Sequence, residues 1–447
     1  MDRRNPASVV SPFLPISKVK AMDNRPDWYR SNRYKLHFDR PCSLTEAERI
    51  VLHPSRITQH AFLPLITHQL GHKRKVQLIN GTLERSSRSR AVSYPGHLDG
   101  HIYNYYRQML SERYEQQVAQ YQLADHILAF RPGQQSNIEV AIKAFSAIEQ
   151  MRDCTAIGVD VHAFFDSLDH GVLKQAWQKL LGTAKLPDDH YAIFRSLTRF
   201  SFVDRDAIYA ELGLSCHNPQ PTGEIWRLCS AKTFRNEIRG NGLLKVNRQS
   251  KGIPQGVSIS ALLSNIYMLE FDTHLKTYAE AAGGHYFRFC DDILLLLPPN
   301  QEQQALATVK ALIEQLKLEL NLSKTEVVSF QTVHGRISSD RPLQYLGLTF
   351  NGREVRIRDS SLDRFRRKMR NRVRLARKTQ AKYNRLRAKR GQPPTRLYTR
   401  KLYQQNTHLG RQNFIRYAMR VAKQSGSTAV NKQIKQLLQQ FEALISE

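Results

Sequence analysis

The sequence predicts an α+β fold, and three observations carry that prediction. Tyr286, Phe287, Phe289 and Cys290 suit a pleated, half-buried strand, and Ile293 to Leu297 a fully buried one, with Asp291-Asp292 between them. A second strand, Ile157-Gly158-Val159, runs into Asp160. Long helical periodicities fill the chain before, between and after these strands. Two aspartates between apolar strands are expensive to bury unless a bound cation compensates them. The competing reading is a solvated hairpin turn, and the neighbouring segments decide against it.

The chain has 447 residues, enough for a large core and more than one domain. Its hydrophobic fraction of 41% is ordinary, whereas a net charge of +29 and a pI near 10.1 are not. That balance points to a polyanionic partner, nucleic acid ahead of an anionic membrane surface. Cys42, Cys154, Cys216, Cys229 and Cys290 show no C-x-x-C spacing, so neither a disulfide framework nor a zinc site is expected. No apolar run is of membrane-spanning length, and the N-terminus shows no signal-type segment. The expectation is a reduced, soluble, cytoplasmic protein without a membrane partner.

In chain order, residues 1 to about 40 show no clear periodicity and read as an extended arm docking on the body. Leu44 to His60 reads as a helix behind a Ser43/Glu46 capping box. Alternation over Lys75–Ile79 with Asn80-Gly81 predicts a hairpin. Lys73, Arg74, Lys75, Arg85, Arg88 and Arg90 lie on or beside it, as a solvated face or as phosphate contacts. Residues 98 to 130 are helical and tyrosine-rich, most tyrosines serving as packing. A further helix is predicted over Asn137–Met151. The segment 171–250 is polar, with a Pro-rich loop at 218–223, and carries little signal. It ends in Lys251-Gly252-Ile253-Pro254-Gln255-Gly256, a loop whose glycines permit close backbone approach to a ligand. Gln301–Leu318 is an amphipathic helix, and Leu343–Phe350 a strand with a glycine, one arm of a hairpin.

These blocks, in this order, resemble the palm and fingers of a reverse transcriptase, of the bacterial kind related to group II intron and retron enzymes. VDVHAFFDSLDH is similar to the first catalytic block, GIPQG to the template and nucleotide loop, and FCDD to the catalytic hairpin. LNLSKTE is similar to the lysine block that follows and YLGLTF to the primer-grip strands. The match covers roughly residues 73 to 350. RSRAVSYPGHLDGHIYNYYRQMLSERYEQQV resembles, more loosely, bacterial defence-associated reverse transcriptases. Phe289 departs from the family, which usually has Tyr there; the ring is kept and a hydroxyl is lost.

The resemblance implies a right-hand polymerase of fingers, palm and helical thumb. The implied divisions are an arm and helical extension over 1–72, fingers over 73–156, palm over 157–350 with a fingers insertion around 171–250, and a basic thumb with C-terminal helices over 351–447. It implies Asp160, Asp291 and Asp292 as carboxylates for two Mg²⁺ ions, with the Val161 carbonyl as a further oxygen ligand. Phe165 stands where the family places an aromatic gate against a ribose 2′-hydroxyl, favouring dNTPs. Gln255 and Gly256 would lie against nucleotide and template, and Arg88 or Arg90 against the triphosphate. Lys324 is either a proton donor near the pyrophosphate or a salt-bridged surface lysine.

Arg353 to Lys401 holds 20 Lys or Arg against Glu354, Asp359 and Asp363, about +17 of the total charge. Leu362, Phe365, Met369, Val373 and Ala376 recur at helical spacing, so one face packs and the others are basic. Like charges this dense repel unless a polyanion neutralises them. The helix is therefore read as lying along a nucleic-acid duplex, with Arg366, Arg370, Arg374 and Arg377 as contacts. Ser427 opens a last amphipathic helix that docks on it or on another subunit.

The expected function is RNA-templated DNA synthesis, with a structured non-coding RNA as template, a DNA product, and a role in antiphage defence. A template-independent or RNA-synthesising polymerase shares the same carboxylates. A non-catalytic RNA-binding or maturase-like protein is the other alternative, and the intact aspartates argue against it.

Overall fold

The computed structural model describes residues 25–30, 36–79, 82–133, 136–216 and 226–446, with the side chains of 71–89 outside the description. The fold is α+β, as expected: three antiparallel or mixed sheets are wrapped by sixteen α-helices among the described residues.

Of the N-terminal arm, Trp28 is buried against the body, where its carbonyl accepts from Asn104 Nδ2 at 3.0 Å. The Ser43/Glu46 capping box forms, with Ser43 N donating to Glu46 Oε2 at 2.8 Å. It opens α1 (Leu44–Val51) alone, because Pro54 removes a helical donor and starts a separate α2 (Pro54–Thr58). The single helix expected over 44–60 is thus two. The hairpin is longer than the sequence indicates: β1 (Leu65–Ile79) pairs antiparallel with β2 (Thr82–Tyr94) up to Ile79 opposite Thr82. The Asn80-Gly81 turn lies outside the described residues. A register shift between Leu70 and Lys73 breaks the alternation in the middle of β1.

Next come α3 (His97–Gln120) and α4 (Asn137–Met151), the latter capped by Ser136 and Glu139. In α3, Tyr103, Tyr106 and Tyr114 are buried, which confirms the packing role for these three; Tyr121, just past its end, is largely exposed. β3 (Cys154–Asp160) leads into α5 (Phe164–Ser167), α6 (His170–Leu181) and α7 (Asp188–Thr198). β4 (Ser201–Asp204), α8 (Arg205–Glu211), α9 (Ala231–Thr233), a π-helical turn and β5 (Lys245–Val246) follow. β4 runs parallel to β1, so this stretch returns to the hairpin and builds a four-stranded sheet ordered β2-β1-β4-β5.

The chain then re-enters the centre through α10 (Ser260–Tyr267) and α11 (Leu269–Ala281). β6 (His285–Phe289), β7 (Asp292–Leu297), α12 (Glu302–Gln315), β8 (Glu326–Val333) and β9 (Arg336–Ser339) complete a five-stranded sheet ordered β6-β7-β3-β8-β9. Its middle strand is β3, which is why Ala156, Ile157 and Val159 are buried on both faces. β10 (Leu343–Tyr345), β11 (Leu348–Phe350) and β12 (Val355–Ile357) form a small antiparallel sheet. Gly347 lies in the turn between β10 and β11, at φ +88 after Leu346 at φ +47, and not within a strand arm.

The C-terminal part is helical: α13 (Asp359–Ala388), α14 (Arg400–Asn406), α15 (Phe414–Ser425) and α16 (Thr428–Ser446). Leu362, Phe365, Met369 and Val373 of α13 are buried, as the spacing requires, and Phe441 and Leu437 of α16 pack into the same core. Each such side chain contributes roughly 1.5–3 kcal/mol on burial. No described helix is long and apolar enough to cross a membrane.

Candidate active site

Asp160 ends β3, and Asp292 begins β7 directly opposite it in the antiparallel register. Two carboxylates far apart in the chain are thus held face to face by a backbone ladder. Asp291 sits in the turn between β6 and β7, where Cys290 adopts a left-handed φ of +61. The Asp291 carbonyl accepts from the Val161 amide at 3.4 Å, which ties the turn to the segment just after Asp160. Asn321 fixes Asp160 from the other side: its amide donates to the Asp160 carbonyl at 2.7 Å and its Nδ2 to Oδ2 at 3.3 Å. Lys324 Nζ donates to the same Oδ2 at 2.7 Å.

The electrostatics follow from this crowding. Burial pushes the Asp292 carboxyl up to about 6, and the negative charges of Asp291 and Asp160 add to the shift. Lys324 and Arg358 pull in the opposite direction. Among the described residues, no three His, Cys, Asp or Glu side chains are gathered closely enough to hold an ion as they stand. Bare carboxylates repel one another, and Lys324 takes an Asp160 oxygen that a cation would use. The donor chemistry fits a hard divalent cation: Asp160, Asp291 and Asp292 stand at neighbouring strand ends, and the charges of the first two oppose ionisation of Asp292. Asp160, Asp292, Lys324 and Arg358 line one open cleft of about 970 Å³, with Phe289 and Gly347 on its walls.

The second expected cluster rests on the 251–258 loop, which joins the hairpin sheet to the turn that follows β3. Gly252 N donates to Leu168 O at 2.8 Å and Ile253 N to Phe165 O at 2.9 Å, fastening the loop to the turn after Asp160. Gln255 O accepts from Ser93 N of β2 at 2.8 Å, fastening it to the hairpin sheet. Gly256 is at φ +103, and a Cβ there would lie 2.6 Å from Ser93 O, so only glycine fits. Phe165 is half-buried on α5, its ring edge-on to Phe164 at 5.7 Å. The loop therefore sets the distance between Phe165, Gln255 and β2.

Arg90 is exposed on β2 opposite Leu70, and Arg88 pairs with Lys73 in the backbone register. The four arginines of α13 divide into two kinds. Arg366 bonds Asp363 Oδ1 at 2.9 Å and Gln440 Oε1 at 3.3 Å, and Arg377 donates to the Leu444 carbonyl at 2.7 Å, so both hold α16. Arg370 and Arg374 are exposed, the latter touching Asn371 Oδ1 at 3.3 Å. Asn321 and Arg358 also stand at this cleft or bond its carboxylates, and sequence reasoning does not single them out. Asn321 stands three residues before Lys324 and is legible as part of that block. Arg358 is one basic residue among many, and only the packing of β12 at the cleft distinguishes it, with its Nε buried and unbonded.

A family model described as reverse transcriptase (RNA-dependent DNA polymerase) matches residues 99–350. No curated protein matches the chain. Among solved structures, apo telomerase of Candida tropicalis, truncated from its C-terminal domain, is 12% identical with a TM-score of 0.39, over 71% of this chain and 60% of that one. Telomerase from Candida albicans, in complex with a TWJ fragment of telomeric RNA, is 13% identical with a TM-score of 0.40, over 90% of this chain and 64% of that one. The chain thus spans less than two thirds of either telomerase chain.

Proposed function

The chain belongs to the reverse transcriptase family, by the match over residues 99–350, and from that premise we propose that it synthesises DNA on an RNA template by nucleotidyl transfer. The observation that carries the proposal is the pairing of Asp160 with Asp292 across β3 and β7, with Asp291 beside them. Asp160, Asp291 and Asp292, with the Val161 carbonyl, would hold two Mg²⁺ ions. When bound, such ions supply charge neutralisation at the reacting phosphate and activation of a 3′-hydroxyl.

The protein's own groups do the rest. Lys324 Nζ donates to Asp160 Oδ2, and its ammonium would serve as proton donor on the pyrophosphate side. Phe165 crowds the sugar and selects dNTPs, Gln255 and Gly256 bound the nucleotide and template, and Arg88 or Arg90 receives the triphosphate. Exposed arginines of α13 track the phosphates of the template–product duplex. Relation to the bacterial group II intron and retron enzymes, a structured non-coding RNA as template, and a part in antiphage defence complete the reading. The loose likeness of residues 88–118 to defence-associated enzymes supports the last of these.

The test is primer extension by the purified protein on an RNA template, with dNTPs or rNTPs and with or without template. Templated dNTP incorporation that Asp291→Ala/Asp292→Ala abolishes, while RNA binding persists, is the expected result. Synthesis that survives the double replacement overturns the catalytic assignment. Product formed without template, or from rNTPs alone, favours the template-independent or RNA-synthesising alternative.

A further inference from the structure

β6 carries an arginine where its pattern calls for an apolar side chain. Arg288 is 0% exposed, between the buried Phe287 and the turn that bears Asp291. A lone guanidinium there would be prohibitively costly, so its partners define its purpose. Asp272 of α11, also 0% exposed, takes Nε and NH2 of Arg288 on its two oxygens, each at 2.6 Å. Tyr286 donates its hydroxyl to Asp272 Oδ1 at 2.6 Å. The remaining terminal nitrogen, NH1, donates to Asn265 Oδ1 at 3.2 Å and to the Cys290 carbonyl at 3.0 Å. Asn265 is held in turn through Nδ2 to the Ala129 carbonyl at 2.9 Å.

The Cys290 carbonyl is the significant end of this chain of contacts. Cys290 is a non-glycine residue at φ +61, a conformation that persists only where its surroundings over-determine it. Its carbonyl belongs to the peptide that carries the Asp291 amide. The backbone of Arg288 is pinned too, its amide donating to His126 O and its carbonyl accepting from Leu128 N. Stability alone does not require the charged pair, since apolar residues of similar volume commonly replace a buried ion pair without loss. An apolar side chain has no donor for the Cys290 carbonyl.

We propose that Arg288, clamped by Asp272, is a positioning residue: its guanidinium grips the Cys290 carbonyl and so fixes the left-handed turn that presents Asp291 and Asp292 to Asp160. The proposal rests on the reading of those aspartates as the ion-holding carboxylates. Arg288 acts through the turn and touches neither substrate nor ion.

Two full-chain variants test it. Asp272→Leu/Tyr286→Phe/Arg288→Met removes the charges together and leaves an apolar core. Arg288→Lys keeps a cation beside Asp272, but an ammonium lacks the planar fork needed to bridge the carboxylate and the Cys290 carbonyl. Thermal unfolding, RNA affinity, kcat and KM for dNTP, and Mn²⁺ affinity by electron paramagnetic resonance are read for each, with Asp291→Ala/Asp292→Ala as the Mn²⁺ background. The triple variant is expected to fold and bind RNA as the wild type does, with kcat about 100-fold lower at little-changed KM. Its Mn²⁺ affinity is expected to be weaker by about tenfold. A folded triple variant with kcat and Mn²⁺ affinity within about threefold of wild type overturns the proposal. If the triple variant does not fold, Arg288→Lys decides by the same two readouts. If neither folds, the pair serves the fold and not the turn, and the proposal also falls. Wild-type protein that incorporates no nucleotide sinks the polymerase reading separately, and the Mn²⁺ titration still decides the role of Arg288.

Discussion

Where Asp292 faces Asp160 across the ladder, ionisation is uphill: burial and two neighbouring carboxylates move the Asp292 carboxyl from 3.8 to about 6. A folded-state value above the unfolded one means that the native protein holds this proton more tightly. The stabilisation is fully present below 3.8 and is lost as pH rises through 6. At pH 8 the ion-free protein therefore carries an ionised Asp292 at a cost of up to about 3 kcal/mol. Asp292→Asn should raise the unfolding midpoint in chelator at pH 8, with the gain shrinking toward pH 4, while abolishing nucleotide incorporation. A variant less stable than wild type at pH 8 would contradict the strain. Incorporation by the wild type should also decline as pH falls below about 6, because a protonated carboxyl is a poor cation ligand; a rate profile flat to pH 5 would count against Asp292 as a ligand. Phe165 yields a separate expectation. Its ring is half-buried on α5 beside Phe164, so Phe165→Val removes bulk there without emptying the core. The ratio of rNTP to dNTP incorporation should rise by about tenfold or more, as removal of a steric barrier of 1–3 kcal/mol allows. An unchanged ratio would make Phe165 a packing residue.

The arginines of α13 fall into two sets. Its apolar stripe of Leu362, Phe365, Met369 and Val373 faces the core, and Arg366 and Arg377 flank that stripe to hold α16. Arg370 and Arg374 point away from it and remain exposed. Arg370→Gln/Arg374→Gln should therefore weaken RNA binding irrespective of sequence. The slope of log affinity against log salt should flatten by roughly 0.7–0.9 for each arginine–phosphate pairing removed, with the unfolding midpoint unchanged. Arg366→Gln/Arg377→Gln should instead lower stability by about 1–2 kcal/mol, since each donor to an α16 acceptor is worth about 1 kcal/mol. Salt-titrated RNA binding and thermal unfolding of both pairs separate the roles. Equal effects of the two pairs on the salt slope would show that the division is false.

Across the whole molecule, the 251–258 loop links the hairpin sheet to the segment that follows β3, and Gly256 lies tightly against β2 in that junction. An added Cβ would collide with Ser93 O at 2.6 Å and Val92 Cγ1 at 2.7 Å. Gly256→Ala should force β2 away from the loop, at a strain cost of about 1–3 kcal/mol. dNTP incorporation should fall by about tenfold or more while RNA affinity through α13 persists, as steady-state kinetics and a binding titration would show. Incorporation at the wild-type rate would mean that the junction yields freely. Much of this architecture is legible along the chain, because helix caps, alternation and the composition of short blocks are local properties. The capping box at Ser43, the strand ending at Asp160 and the apolar stripe of α13 can all be read that way. The single helix expected over 44–60 overlooks Pro54 and the strand expected over Leu343–Phe350 absorbs Gly347, since neither pattern shows where the chain must turn to reach its partner. The linear order of residues marks the candidate carboxylates, the 251–258 loop and the basic helix. Their pairings come from packing alone: Asp160 against Asp292 through the β3–β7 register, Lys324 on Asp160, Arg358 at the cleft and Arg288 beneath the turn. Such pairings join residues far apart along the chain, and their energies depend on burial and mutual distance, which the order of residues does not contain.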